Sequence, residues 1–401
     1  GDGGVAGRYY FDRGWSSSYP ETTGYILPTF LALATELGDA QFHDRARRCL
    51  DFLLSLQLES GAFPGMEIAE NRTKPSFFNT AQILHGLTAW HRAEGDARVL
   101  DAARRAADWM LAIQDADGAF RRHCYGDLPT TYSTHATCWL AEFGAHTGDS
   151  KYLSSAGRHL DWAMTHRDPE TGWFDLCGFG PQDHADRISV THTIAYTLWG
   201  VLFTSEILGR EDGISAVRQA AAGVARRLEM SRRLPGVLDH RWRARADYVC
   251  LTGNAQMALI WLRLHARQPD LRFLNAALKA LDGIKSAQRL DNSNPGLRGG
   301  VAGSDPPWGG YIYNAVPNWA AKFFIDALLE KGRALAHLEA GARVGNWAIP
   351  ADVPRQLPDI RSGKPGTPLR VVLYTSADSR KPAEMLRRWE AWGFQPTAIV
   401  V

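Results

Sequence analysis

Phe77-Phe-Asn-Thr-Ala-Gln82 opens the stretch that decides the architecture, and Gln114-Asp-Ala-Asp-Gly118-Ala-Phe120 closes it. Between them run two segments with apolar residues at helical spacing, Ile83 to Ala93 and Val99 to Ile113. Glu94-Gly95-Asp96 separates them. A glycine ends one helix in the left-handed region and an Asp caps the next, so the stretch predicts a helical hairpin followed by a glycine-aromatic turn.

The turn recurs. Gln57-Leu-Glu-Ser-Gly61-Ala-Phe63 precedes it, Asp168-Pro-Glu-Thr-Gly172-Trp-Phe174 follows, and weaker copies stand at Pro235 to Leu238 and Gly299 to Val301. Gly61, Gly118, Gly172, Gly236 and Gly300 are 57, 54, 64 and 64 residues apart. Regular self-similarity of this length marks a repeat architecture, in which each unit buries its apolar face against a neighbour. The first hairpin pairs a helix near Ile26 to Leu37 with one near Gln41 to Leu56, across Gly38-Asp39. Residues 1–23 read as a rim loop, and Pro28 is placed in a first turn. Hairpin three is Thr134 to His146 with Lys151 to Thr165. Hairpin four is Thr191 to Leu208 with Gly213 to Met230. Hairpin five is Thr252 to Ala266 with Leu271 to Ala287. Hairpin six runs from Asn318 to about Leu329 and returns through a short helix, Ala334 to Arg343.

Six consecutive hairpins of this kind, over roughly residues 20–340, resemble the six-hairpin α/α toroid. That group holds six-hairpin glycosidases, polysaccharide lyases and uronyl epimerases, with terpene cyclases further off. The resemblance implies an all-α toroid with an inner and an outer helix ring, helical over more than half of residues 20–340. It also implies a carbohydrate substrate, acted on by a lyase, epimerase or hydrolase.

Composition sets the other bounds. The chain has 401 residues, 45% hydrophobic, enough for a large core and a second domain. Lys and Arg number 45 against 43 Asp and Glu, a balance that implies no nucleic-acid partner. No apolar run reaches the roughly 18 residues of a membrane span. Fourteen Trp suit either helix packing or stacking on sugar rings. The five cysteines, Cys49, Cys124, Cys138, Cys177 and Cys250, are scattered and odd in number, a poor disulfide framework. That pattern and the lack of a signal peptide favour the cytoplasm, although the chain begins at Gly1 rather than Met. After residue 345 a proline-rich linker, 346–368, leads to Leu369–Ser376 as a strand, Lys381–Trp392 as a helix and Pro396–Val401 as a strand. This reads as the truncated start of a Rossmann-like α/β domain (369–401) that contributes nothing to the toroid's reaction. No G-x-G-x-x-G follows the strand, so no dinucleotide is implied.

In a toroid the amino ends of the inner helices share one rim with the glycine-aromatic turns. Their starts supply a column of polar groups: Glu21 and Tyr25, Asn79 and Gln82, His135, His192 and Tyr196, Asn254 and Gln256, Asn318 and Lys322. Tyr132 and Tyr313 lie just before two of these helices. Capping alone accounts for Asn79 and Asn254. Histidine caps poorly, so His135 and His192 point most directly to chemistry. They are expected to face one another across the mouth, neutral because the positive helix end disfavours imidazolium. Proton abstraction beside a uronate carboxylate needs a base such as His or Tyr and donors for the developing charge. His135, His192, Tyr132 and Tyr196 are the acid-base candidates. Glu21, Tyr25, Asn79, Gln82, Asn254, Tyr313, Asn318 and Lys322 are the substrate-binding candidates.

Glycoside hydrolysis is the rival and needs two carboxylates flanking the bond. Asp175, Asp183 and Asp186 are the alternative acid-base set, with Glu21, Glu67, Glu70 and Asp305 also available, although solvated loop charge explains most of these. A non-catalytic glycan-binding toroid is the third reading. Terpene cyclization lacks its Asp clusters, and His123-Cys124-Tyr125-Gly126 lacks the downstream Cys-His-Gly of a zinc site. The sequence therefore implies no metal and no cofactor, and is silent on oligomeric state.

Overall fold

A computed structural model describes residues 1–344, 370–373 and 397–400, with side-chain surroundings through residue 336. The chain divides into two compact units, Gly1–Lys331 and Gly332–Val401.

In the first unit β1 (Arg8–Tyr10) and β2 (Gly14–Trp15) precede the first hairpin, α1 (Pro20–Leu37) and α2 (Ala40–Leu54). Then come α3 (Phe77–Glu94) with α4 (Ala97–Ile113) and α5 (Thr134–Thr147) with α6 (Ser150–Thr165). A six-residue helix α7 (Pro181–Asp186) and β3 (Ile188–Val190) lead to α8 (Thr191–Leu208) and α9 (Glu211–Ser231). After β4 (Val237–Asp239) and β5 (Val249–Cys250) come α10 (Leu251–Arg267) and α11 (Leu271–Ala287). β6 (Ser304–Asp305), β7 (Ala315–Pro317) and the long helix α12 (Asn318–Val344) complete the series. Helices thus fill well over half of residues 20–340, and the strands are two to three residues long.

The hairpin breaks follow from their chemistry. Gly38, Gly95, Gly148 and Gly209 end helices in the left-handed conformation. Asp39, Asp96, Asp149 and Asp270 each accept the second backbone N–H of the following helix. The repeated turn is explained by what it touches. Gly61 (φ +91°) and Gly118 (φ +89°) are left-handed, and a Cβ there would lie 2.4 and 2.5 Å from the carbonyl oxygens of Arg105 and Arg158. Each turn therefore presses on the outer helix of the next hairpin. Gln57 Nε2 donates to Gly61 O and Ala102 O, and Gln114 Nε2 repeats this with Gly118 O and Ser155 O. One glutamine thereby ties each turn both to itself and to its neighbour.

Outer helices bury one stripe; in α4 it is Val99, Ala102, Ala103, Ala106, Ala107 and Met110. Inner helices α3, α5, α8 and α10 are buried on nearly every side, because one face packs on the outer ring and the other lines the lumen. The inner helices pack in sequence: α1 on α3, α3 on α5, α5 on α8, α8 on α10. α12 closes on α1, where Thr29 Oγ1 donates to Asp326 and Asn318 Nδ2 to Thr22 Oγ1. The amino-terminal β1 pairs with β7 in register Tyr9↔Val316 and joins the two ends of the ring.

Three local readings are corrected. α1 begins at Pro20, not Ile26, so Pro20 occupies the first helical position and Glu21 the first turn. Pro28 then lies inside the helix. It removes the N–H that Gly24 O would accept, and α3 approaches so closely there that a Cβ on Gly86 would lie 2.3 Å from that oxygen. The expected break after Leu329 does not form, and α12 continues to Val344. Gly332 has no Asp cap after it, and a lone helical glycine costs only about 1 kcal/mol relative to Ala. The described residues thus give five hairpins and a sixth inner helix.

In the second unit β8 (Arg370–Leu373) pairs in parallel with β9 (Thr397–Val400), Arg370 opposite Thr397. This is the pairing a βαβ unit requires. The linker 346–368 and the helix Lys381–Trp392 fall outside the described residues.

Candidate active site at the amino-terminal mouth of the inner ring

The stripe His135, Trp139, Glu142 and His146 repeats at helical spacing on α5, and His192, Tyr196, Trp199, Phe203 and Glu206 on α8. The two histidines lie in the first turns of their helices. Each is backed by a glycine of the next inner helix: a Cβ on Gly200 would lie 2.4 Å from His135 N, and one on Gly253 2.7 Å from His192 N. The backbones approach closely, and this sets both imidazoles at equivalent places.

The Tyr196 ring lies against both, 4.0 Å from the His135 ring centroid and 4.2 Å from that of His192. Direct facing of the two histidines gives way to a His-Tyr-His arrangement. Phe78 packs on His135, Tyr132 and Tyr196, while Tyr311 and Phe179 approach His192. Gln82 Nε2 meets His135 Nδ1 at 3.0 Å, and Gln256 Oε1 meets His192 Nδ1 at 2.8 Å. Both Nδ1 atoms are thus occupied. Both rings are nearly fully buried, 3% and 6% exposed. Burial lowers both imidazoles: His192 falls to about 4, and His135, which also feels Lys322, falls well below its ordinary value. Both are neutral bases at pH 7.

Glu21 lies in the first turn of α1, near enough to Tyr196 to affect its hydroxyl. Its Oε2 accepts a 2.7 Å hydrogen bond from Tyr19 OH. Burial pushes the carboxyl up to about 7, against the opposing effect of that bond. Burial, with the Glu21 charge as a further cause, raises the hydroxyls of Tyr25, Tyr196, Tyr311 and Tyr132, so one carboxyl shares a basket of tyrosines with both histidines. Lys322 is 2.6 Å from Asp326, and its ammonium lies over the Tyr25 and Phe323 rings.

Several expected residues are otherwise engaged. Asn79 bonds Ser76 and Pro64 O, and Asn254 Nδ2 donates to Cys250 O. Asn318 Nδ2 serves Ala6 O and Thr22, which spends it on ring closure. Tyr313 is 66% exposed; the buried tyrosine of that loop, against His192, is Tyr311. The alternative carboxylates hold structure. Asp175 pairs with Arg187 at 2.7 Å, Asp183 caps α7 by accepting Phe179 N and Gly180 N, and Asp186 accepts Gln182 Nε2. Glu67 accepts from Ser17 and lies 3.5 Å from Arg8, Asp305 pairs with Arg233, and Glu70 is exposed. Tyr19, Trp139 and Tyr311 were not singled out in the sequence. Trp139 was reachable, since it lies four residues after His135 on the same face. Tyr311 was not, because a loop rather than a helical period delivers it.

All five cysteines are free thiols. Among the described residues no cluster of three or more His, Cys, Asp or Glu is placed to hold a metal, and no helix is long and apolar enough to cross a membrane.

Residues 17–216 match the family model described as Beta-L-arabinofuranosidase, GH127 catalytic domain. No curated protein matches the chain in sequence. Among solved structures, a sugar epimerase from a ruminal bacterium is similar with TM-score 0.68 at 14% identity, over 82% of this chain and 93% of that one. Cellobiose 2-epimerase from Bacillus thermoamylovorans gives 0.66 at 12% identity, over 82% and 93%. The unsaturated glucuronyl hydrolase of Bacillus sp. GL1 gives 0.64 at 15% identity, over 82% and 92%. At such identities the likeness is one of fold: the chain is a six-hairpin α/α toroid, the architecture of these carbohydrate-active enzymes.

Proposed function

We propose that the protein is a carbohydrate-active enzyme that moves a proton at a sugar carbon next to a carbonyl or carboxylate, by epimerase or lyase chemistry. One observation carries this reading. A carboxyl titrating near 7 shares a basket of tyrosines with two neutral imidazoles, each held at Nδ1 by a glutamine. A proton beside a carbonyl needs a base that is neutral at working pH and a donor for the oxygen that gains charge. In this reading His192 takes the proton through Nε2. His135 donates a hydrogen bond to that oxygen, and protonated Glu21 returns a proton on the other face. Tyr196, wedged between the imidazoles, sets the gap in which the ring lies, and Phe78, Tyr311 and Phe179 supply stacking surface. The inner-ring carboxylate Asp326 is engaged by Lys322 and Thr29.

Hydrolysis is the second reading, favoured by the family model over residues 17–216. Glu21 would then be the general acid. A screen on reducing disaccharides and on uronate-containing and neutral polysaccharides separates the two. Epimer signals in NMR, or ultraviolet absorbance of an unsaturated product, support proton transfer. New reducing ends without either would replace it by hydrolysis.

A further inference from the structure

We propose that Gln82 and Trp139 lock His135 into the tautomer that carries its proton on Nε2, opposite to the tautomer His192 adopts against Gln256. The role given to those assignments rests on the proton-transfer reading; the lock itself does not.

The chain of donors leaves one solution. An indole nitrogen can only donate, and Trp139 Nε1 is 2.9 Å from Gln82 Oε1. That contact decides which way the Gln82 amide faces. Its Nε2, which also only donates, then points at His135 Nδ1 at 3.0 Å, with the His135 carbonyl at 3.5 Å as a second acceptor. Nδ1 must therefore offer its lone pair, and a neutral imidazole so constrained carries its hydrogen on Nε2. Gln82, Trp139 and His135 are all nearly fully buried, so water cannot readily supply an alternative partner. The indole is itself clamped, stacked 3.7 Å from His85 and packed on Phe203. Protonating His135 would set Nδ1–H against the amide N–H, so the lock also opposes imidazolium, in the same direction as burial and the nearby Lys322, His85 and His192.

His192 is held differently. Its Nδ1 meets Gln256 Oε1, which makes Nδ1 the protonated nitrogen and leaves Nε2 with the lone pair. Gln256 Nε2 is buried without a partner, and no indole fixes that amide. One imidazole thus presents N–H to the lumen and the other presents a base. Trp139 is a positioning residue in this scheme, acting through Gln82.

The test reads tautomers directly, in the full chain and without substrate. Long-range proton–nitrogen NMR on protein labelled with nitrogen-15 in histidine distinguishes the two ring nitrogens, with H135A and H192A giving the assignments. The expected wild-type result is a protonated Nε2 on His135 and a protonated Nδ1 on His192. Gln82→Glu keeps the shape, accepts from Trp139, and places an acceptor opposite Nδ1. It should invert the His135 tautomer and raise its titration by at least about one pH unit. Trp139→Phe frees the amide and should yield a mixture of tautomers. A protonated Nδ1 on wild-type His135, or an unchanged His135 pattern in folded Q82E, would overturn the lock. Inverted tautomers accompanied by undiminished sugar turnover would leave the lock standing and remove the proton-transfer reading instead.

Discussion

Glu21→Gln isolates the energetic consequence of a buried carboxyl whose proton is held unusually tightly. The ordinary value for Glu is 4.5, and burial in the tyrosine basket brings it to about 7. The folded state therefore binds a proton more tightly than the unfolded chain. Its contribution to stability is fully present below pH 4.5 and is lost as pH rises through 7. The shift corresponds to about 3 kcal/mol at 1.36 kcal/mol per pH unit. Glutamine keeps the shape and an acceptor for Tyr19 but never ionises. E21Q and the parent protein should thus be equally stable near pH 4, and E21Q should be the more stable by about 3 kcal/mol at pH 8. Paired denaturant titrations at several pH values measure this. A difference that stays flat with pH, or a variant that loses ground as pH rises, would refute the placement of an unpaired carboxyl in that basket.

His192→Ala should lower kcat on the true substrate roughly a hundredfold, the usual scale for lost acid-base assistance, while circular dichroism stays unchanged. The rate profile of the parent enzyme should rise near pH 4 as His192 becomes neutral and fall near pH 7 as Glu21 loses its proton; a profile still rising at pH 9 would exclude Glu21 as a donor. Asp175→Asn should retain turnover and cost less than about 1 kcal/mol, because its pair with Arg187 is more than a third exposed. Gly118→Ala puts a Cβ into a left-handed residue 2.5 Å from Arg158 O and should destabilise by at least about 2 kcal/mol in thermal melts. Ending the chain after Val344 should leave the rate constants intact; loss of activity in a folded truncation would tie residues 345–401 to the reaction.

The architecture was legible because each element's signal is local. The Gly-Asp breaks, the glutamine-glycine turns and the one-sided stripes of the outer helices state their own conformation. The start of α1 was not legible, because Pro28 reads locally as a helix start while tertiary packing accommodates it within the helix. Glu21 was accordingly placed ahead of the helix, among the substrate-binding candidates and the carboxylates available for hydrolysis, rather than in its buried first turn. Its raised titration comes from burial, and burial by elements distant in the chain leaves no mark in neighbouring sequence. For Asn79 and Asn254 the first-turn positions were visible in the sequence, but their backbone partners were not. His135 and His192 stood out in the sequence because histidine has little reason to stand in a first helical turn, and the structure brings both against Tyr196.

Deuterium exchange tests the central claim most directly. The protein is incubated in deuterium oxide with reducing disaccharides and uronate oligosaccharides, and ring protons are followed by NMR. Proton transfer at carbon predicts deuterium at the position next to the carbonyl or carboxylate, abolished in H192A and strongly slowed in E21Q below pH 7, where the parent's Glu21 carries its proton. Turnover that cleaves glycosidic bonds and leaves every carbon-bound hydrogen in place would contradict it.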